Sequence, residues 1–333
     1  MVYVAFSVTT VTVADRGGTY VEGLVGNPQA INPILSQSNP VDQDLVALIF
    51  SGLTRIDDRG VPVPDLATSW ELSSDGTVYT FHLRPGVTWH DGAPFSSADV
   101  AFTIRSIQAP DYQGAAYLSD MWRTVSVEAP DVLTVRFVLR EPFAPFMDYT
   151  SLGLLPEHLL SGAPAASLRQ SAFNAQPVGT GPLRVAEVSA QHIVLVPYDQ
   201  YYGETPYIER FDFFYFPSNA VAFDARQRGD VDGIARVLPE NLQSVRNDSD
   251  LALYSAPVSG YNLILLNLDR TIFQDRGVRQ AMLWALDRQA LIDAILDGQG
   301  VVIDSPILPS SWAYHAEVVT YRHDAKKAAA ALE

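Results

Sequence analysis

Along the chain, stretches of alternating apolar and polar residues give way to stretches with apolar residues three and four apart, punctuated by glycine, proline and asparagine. Residues 19–25 (TYVEGLV) alternate as a half-buried strand does. Residues 26–40 hold three prolines and three asparagines, which predicts a long irregular loop. From Asp42 to Leu53, the positions Leu45, Leu48, Ile49 and Leu53 share one helical face. Residues 69–83 read as a hairpin, with SWELSS and TVYTFHL flanking Asp75-Gly76, the pair favoured in type I′ turns. A second turn follows at His90-Asp91-Gly92. Ser96 and Asp99 form a capping box with Asp in place of Glu or Gln, opening a helix (VAFTIRSIQ) that Pro110 ends.

The second half continues in the same mixed style. Strands are predicted at 124–128, 133–139, 183–188, 191–197 and 208–215, with a glycine-proline loop, PVGTGP, at 177–182. A helix from about Ala220 to Gly229 precedes a short strand, VDGIA. Residues 261–268 (YNLILLNL) are almost continuously apolar, as a fully buried strand would be. Asp275 and Asp287 are placed to N-cap VRQAMLWALD and RQALIDAILDG, the latter closed by Gly298, and a last helix starts near Asp324. No internal repeat or low-complexity tract interrupts this order. Short strands scattered among helices indicate a mixed α/β chain with several sheets.

Composition narrows the function. The 333 residues suffice for two domains at ~100–200 residues each, and a 47% hydrophobic content supports a sizeable core. A net charge of −16 speaks against nucleic acid and against an anionic membrane surface, since both demand Lys and Arg. The absence of cysteine removes disulfides, thiol catalysis and Cys-ligated zinc, and fits an oxidising compartment. The opening MVYVAFSVTTVTVADRGG is apolar up to Ala14 without a basic start. It reads either as a first strand or as the remnant of an export signal; residues 1–16 are assigned to such a remnant or a linker.

Catalytic and cofactor patterns are weak. There is no GxSxG elbow, P-loop or HExxH. The GTG of PVGTGP lacks the third glycine of a dinucleotide fingerprint. His82 and His90 come closest to a histidine pair, but no convergent ligands accompany them. Most carboxylates sit at turns or helix caps, where a local role suffices. No enzyme, metal or cofactor is expected.

At residues 49–105 the run IFSGLTRIDDRGVPVPDLATSWELSSDGTVYTFHLRPGVTWHDGAPFSSADVAFTIRSI resembles the family 5 solute-binding proteins of ABC importers, which bind dipeptides, oligopeptides or nickel. PVGTGPLRV, DQYYGETPYIERFDFFYF, RQRGDVDGIA, VRQAMLWALDRQAL and YRHDAKKAAAAL follow in the matching order. The resemblance implies an α/β, periplasmic-binding-protein-like fold of two lobes and three domains that close on a ligand at a hinge. It places residues 17–45 and 177–257 in domain I, 46–176 in domain II, and the start of domain III at 258–333. Members of the family are longer, so the second lobe is expected to be incomplete in this chain and its ligand binding weak.

The same resemblance implies binding without chemistry: a monomer outside the cytoplasmic membrane captures a peptide or other small solute and delivers it to a permease. It points to Ser36, Gln37, Ser38 and Asn39 in the loop after the first strand, and to Arg236 and Val237 after VDGIA. Tyr261 and Asn262 leave the hinge, and Tyr117, Trp122 and Trp312 are candidate aromatic walls. Arg236 is the sharpest of these, because a guanidinium pairs bidentately with a carboxylate. A nickel chelate, an oligosaccharide or a sensory role on the same fold are the alternatives; a secreted hydrolase would need an acid–base pair that the sequence does not display.

Overall fold

The alternation at the start of the chain is realised as the strand Thr19–Val25, which pairs in parallel over its whole length with Arg210–Phe216. The computed structural model describes residues 15–255, 260–309, 311 and 314–332, so the segment read as an export-signal remnant lies almost wholly outside the described residues. The chain divides into two compact units, the first running up to Asp57 and over Pro62–Ala235, the second comprising Asp58–Val61 and Arg236 onward.

In the first unit, one sheet has the order Gly233–Ile234, Thr19–Val25, Arg210–Phe216, His192–Pro197, Leu183–Val188. The first three strands run parallel and the last two pair antiparallel. The helix Pro40–Ile49 covers it, burying Val41, Leu45 and Ile49 against Leu24, Ile193, Leu195 and Phe213. This helix starts two residues before the expected Asp42. Asn39 is the N-cap, its Oδ1 accepting from the N–H groups of Val41 (2.9 Å) and Asp42 (3.3 Å), and Pro40 occupies the first helical position, where a missing N–H costs nothing. The helix stops at Ile49 rather than Leu53, and the chain extends so that Gly52 lies on the backbone of Ser151, where a Cβ would come within 2.6 Å.

The second sheet of this unit is antiparallel, in the order Ala67–Leu72, Val78–Leu83, Thr134–Leu139, Val125–Asp131. Its core is aromatic: Phe81, Trp89, Trp122, Phe137 and Phe146 are fully buried. The helix Ser97–Gln108 packs on it through Val100, Ile104 and Ile107, and the capping box forms as expected, with Asp99 accepting from the Ser96 N–H at 2.8 Å. The hairpin turn differs from the type I′ expectation. Only Gly76 has positive φ (72°), and its N–H donates to the Ser73 carbonyl at 2.9 Å. Asp75 accepts from Thr77 N–H and Ser73 Oγ, which holds a type I turn followed by a left-handed glycine.

The expected irregular loop is irregular, but its middle is not exposed: residues 30–36 are all buried. Its backbone donors therefore need partners. Asp42, itself 1% exposed, accepts from the N–H groups of Gln29 and Ala30, both at 2.9 Å. Asn32 accepts from Ile34 N–H and donates to Asn174, which in turn donates to the Leu168 and Arg169 carbonyls.

The regular elements described in the second unit are helices, joined by long irregular stretches. Asp275, Asp287 and Asp324 cap Arg276–Ala285, Arg288–Leu296 and Ala325–Ala330, as the sequence implied. The left-handed residue ending the second of these is Asp297 (φ 48°), ahead of Gly298. Arg288 ties the unit together by donating to the Ile303 carbonyl, the Tyr321 carbonyl and Asp304, each at 2.7 Å. The predicted strand at 261–268 does not form: the segment pairs with no described strand, and Leu263, Ile264, Leu265 and Leu268 are exposed. An apolar run becomes a buried strand only where a sheet edge accepts it, and none of the described sheets does.

Two outcomes are expected. Asp42→Ala orphans the buried Ala30 N–H and the part-buried Gln29 N–H and should lower the stability of the first unit by about 1–3 kcal/mol, with Asp42→Asn, which keeps one acceptor, falling in between; urea unfolding measures both. Amides of residues 261–268 should exchange with deuterium orders of magnitude faster than those of Val78–Leu83, which are paired on both sides.

Candidate functional site

The loop that carries four of the expected ligand contacts is shaped by its own side chains. Ser36–Ser38 is one turn of 3-10 helix. Gln37 Nε2 donates to the Pro33 carbonyl at 2.6 Å, and the Gln37 carbonyl accepts from Gln43 Nε2 at 2.9 Å. Ser36 is buried, and Asn39 is committed to capping and to donating to the Asn27 carbonyl. Ser38 is exposed, and Gln37 Oε1 has no hydrogen-bond partner among the described residues. Of the four residues, Gln37 and Ser38 retain free polar capacity.

A tyrosine stands beside this turn that sequence reasoning missed. Tyr112 Oη donates to the Ile34 carbonyl, and burial pushes its phenol up to about 12. Gly114 makes this contact possible, since a Cβ there would meet the Tyr112 hydroxyl at 1.9 Å and the Ile34 carbonyl at 2.5 Å. Tyr117 lies near enough to Tyr112 to interact with it electrostatically and is 56% exposed. The turn that carries Ser38 and the helix that carries Tyr117 therefore belong to neighbouring segments linked through Ile34 and Tyr112.

Trp122 is placed differently from the expectation of a pocket wall. It is 1% exposed, with its ring 5.5 Å from Phe137 and 5.7 Å from Phe146. Five residues along one helix from Tyr117, it faces the opposite way, so the helix Ala116–Trp122 presents Tyr117 outward while Trp122 anchors the core.

The remaining candidates lie in the second unit. Arg236 is exposed, Val237 half-buried, and Arg236 makes no hydrogen bond or ion pair with a described residue. Of the two acidic residues nearest in sequence, Asp232 and Glu240, Asp232 is engaged elsewhere, accepting from Val21 N–H at 2.8 Å. Tyr261 and Asn262 are exposed in the unpaired 261–268 segment. Trp312 lies outside the described residues.

Two further polar clusters lie in the first unit. Tyr202 donates to Asp65, whose carboxyl is held above the usual range by burial, while Arg84 donates to the Asp65 carbonyl and stands 5.2 Å over the Tyr202 ring. A cavity of about 260 Å³ opens beside His90, lined by Arg184, Tyr198, Asp199 and Gln200. No group of three or more His, Asp or Glu among the described residues is arranged to hold a metal ion. His82 instead sits 3.5 Å from Glu71, at the surface.

The two faces of the helix Ala116–Trp122 give a direct check. Trp122→Ala should cost about 3–5 kcal/mol of stability, whereas Tyr117→Ala should change the unfolding free energy by less than about 0.5 kcal/mol; urea unfolding measures both.

Comparison with known proteins adds what geometry alone does not. The chain is 29% identical over 320 residues to the oligopeptide-binding protein AppA of Bacillus subtilis (strain 168), covering 94% of this chain and 58% of the relative. It is 28% identical to the dipeptide-binding protein of Escherichia coli (strain K12), covering 97% and 64%. Among solved structures, NikZ from Campylobacter jejuni in complex with Ni(L-His) superimposes with a TM-score of 0.79 at 30% identity, covering 94% of this chain and 62% of that one. The chain thus spans about three fifths of the length of these relatives. The sequence profile of the bacterial extracellular solute-binding proteins, family 5 (middle region), matches residues 61–333, and the chain belongs to that family.

Proposed function

We propose that this chain captures peptides outside the cytoplasmic membrane, as part of a solute-binding protein that delivers them to an ABC permease. The observation that carries the reading is family membership across residues 61–333 together with two relatives whose names specify peptide binding. The structure of AppA from Bacillus subtilis, solved in complex with a nonapeptide, superimposes on 96% of this chain with a TM-score of 0.77 at 28% identity. Capture of this kind needs hydrogen-bonding groups and aromatic surface, not a nucleophile or an acid–base pair. Ser38, Gln37, Tyr117 and Arg236 supply such groups.

We read residues 17–45 with 177–257 as one domain, 46–176 as a second and 258–333 as the start of a third. Two separate hydrophobic cores support the first two. One is built from Leu24, Leu45, Leu183, Ile193 and Phe213, joined by Ile49 from just past the boundary, the other from Phe81, Trp89, Ile104, Trp122, Phe137 and Phe146. A nickel chelate is the second reading, favoured by the likeness to NikZ with its bound Ni(L-His).

Calorimetric titration of the whole protein that carries this chain, with peptides of two to nine residues and with Ni(L-His), separates the two. Saturable heat with peptides is expected; heat with the chelate alone would overturn the peptide reading. In the same assay, Arg236→Ala should weaken peptide binding roughly tenfold to hundredfold, the loss of a charge-assisted bond worth about 1.5–3 kcal/mol, with the melting temperature unchanged. Unchanged affinity removes Arg236 from the site.

A further inference from the structure

The PVGTGP loop, residues 177–182, carries the chain into the strands 183–188 and 192–197, and its seat is unusually specific. Gly179 and Gly181 lie against the backbone of Ile49, at the end of the helix Pro40–Ile49. A Cβ on Gly179 would come within 1.9 Å of the Ile49 carbonyl oxygen, and one on Gly181 within 2.7 Å. Gly181 N–H donates to that carbonyl at 2.8 Å. From the other side, His90 holds the loop three times. Its own N–H donates to the Gly179 carbonyl at 2.9 Å, its Nδ1 accepts from Gly179 N–H at 3.2 Å, and its Nε2 faces the Gly181 carbonyl at 3.0 Å.

These partners fix the imidazole's chemistry. A backbone N–H only donates and a carbonyl only accepts, so Nδ1 must be bare and Nε2 must carry the proton. We propose that His90 is an acid-sensitive latch: its neutral imidazole fastens the 177–182 loop between the helix Pro40–Ile49 and the turn His90–Gly92, and protonation unfastens it. A second proton on Nδ1 would set two donors, Nδ1–H and Gly179 N–H, against each other. Gly179 has no room to shift on its Cβ side, where the Ile49 carbonyl lies.

The surroundings reinforce the neutral form. The loop itself contributes no titratable side chain. Tyr198 stands edge-on to the ring, centroids 4.9 Å apart, with its hydroxyl engaged on the Trp89 carbonyl at 2.7 Å. Arg184 opposes a positive charge on the ring. Asp91 favours one, but it is held by His158 at 2.8 Å and by Ala93 N–H at 3.0 Å. Asp199 lines the adjoining cavity. Burial outweighs these charges and pushes the imidazole down from 6.5 to about 4.

The sign follows. The folded loop keeps His90 neutral where a released His90 would protonate, so the latch holds fully above pH 6.5 and weakens as the pH falls from 6.5 towards 4. One proton is taken up on opening, so the opening equilibrium rises up to about tenfold per pH unit in that window.

NMR on the full chain between pH 7 and pH 4 tests this. The His90 ring should remain in the Nε2–H form to below pH 5. Protection of the Gly179 and Gly181 amides, corrected for intrinsic exchange, should fall by up to about tenfold per pH unit. The Val78–Leu83 amides should not follow. His90→Asn, which offers Oδ1 to Gly179 N–H and does not titrate, should abolish the pH dependence. A ring that protonates near pH 6.5, glycine amides whose protection is flat with pH, or a dependence that persists in His90→Asn would each overturn the latch. Should the variant fail to fold, the wild-type titration alone decides.

Discussion

The first unit depends on one close approach: two glycines of a six-residue loop pressed onto the backbone of Ile49. No side chain fits there, and the loop could not otherwise pass between the end of the helix Pro40–Ile49 and the turn at His90. That passage lets one continuous chain build two sheets with separate cores, since it enters the loop from the 67–170 region and leaves it directly into Leu183–Val188. His90 and Tyr198 complete the seat, so the WHDG turn of one layer and the β-strand end of the other share a polar junction. The hydrophobic effect drives each core to form but is indifferent to how they are arranged; directional hydrogen bonds at the junction set the arrangement.

Much of the fold was legible because its signals are local. Asp99, Asp275, Asp287 and Asp324 cap helices within three residues of themselves, and Gly76, Gly92 and Gly229 take the positive φ that their turns demand. What escaped was non-local. Pro40 looked like a loop residue and proved to be the first residue of a helix, because its role depends on Asn39 as cap. Residues 261–268 have the composition of a buried strand, but composition cannot name the sheet that would receive it. Asp42 read as the start of a helix and His90 as a turn residue; their roles appear only when partners 12 to 91 positions away are brought alongside.

The candidate site shows the same division. A serine, glutamine or asparagine in a loop is a plausible ligand contact from sequence, yet the loop spends most of these groups on its own stability. Asn39 is consumed by a cap and Ser36 is buried, which leaves Gln37 and Ser38. Aromatic residues are equally ambiguous until the helix phase is known: Tyr117 and Trp122 sit on one short helix and face solvent and core respectively. Tyr112 carried no signal in its own right. Gly114, two residues on, was the available hint, since a glycine outside a turn implies that a backbone or side chain comes close.

Exposure in the second unit bears on how its candidate residues work. Tyr261 and Asn262 begin a segment in which Leu263, Leu265 and Leu268 are half to nearly nine-tenths exposed, and none of its backbone groups enters a described sheet. A segment without ladder bonds or buried apolar contacts opens at little free-energy cost, so its side chains are not held in one geometry. A contact made from such a segment must bear the entropy of ordering it, which weakens binding relative to the same contact from a preorganised strand. Arg236 is in a better position. It comes two residues after Ile234, and Gly233–Ile234 are paired in register to Glu22 and Gly23, so its backbone begins close to a fixed point. With 22 basic against 38 acidic residues in the chain, an exposed guanidinium without a described partner is also a scarce resource for an anionic ligand group. Anchorage and charge together, rather than charge alone, are the grounds on which Arg236 is proposed ahead of the aromatic residues of the same unit.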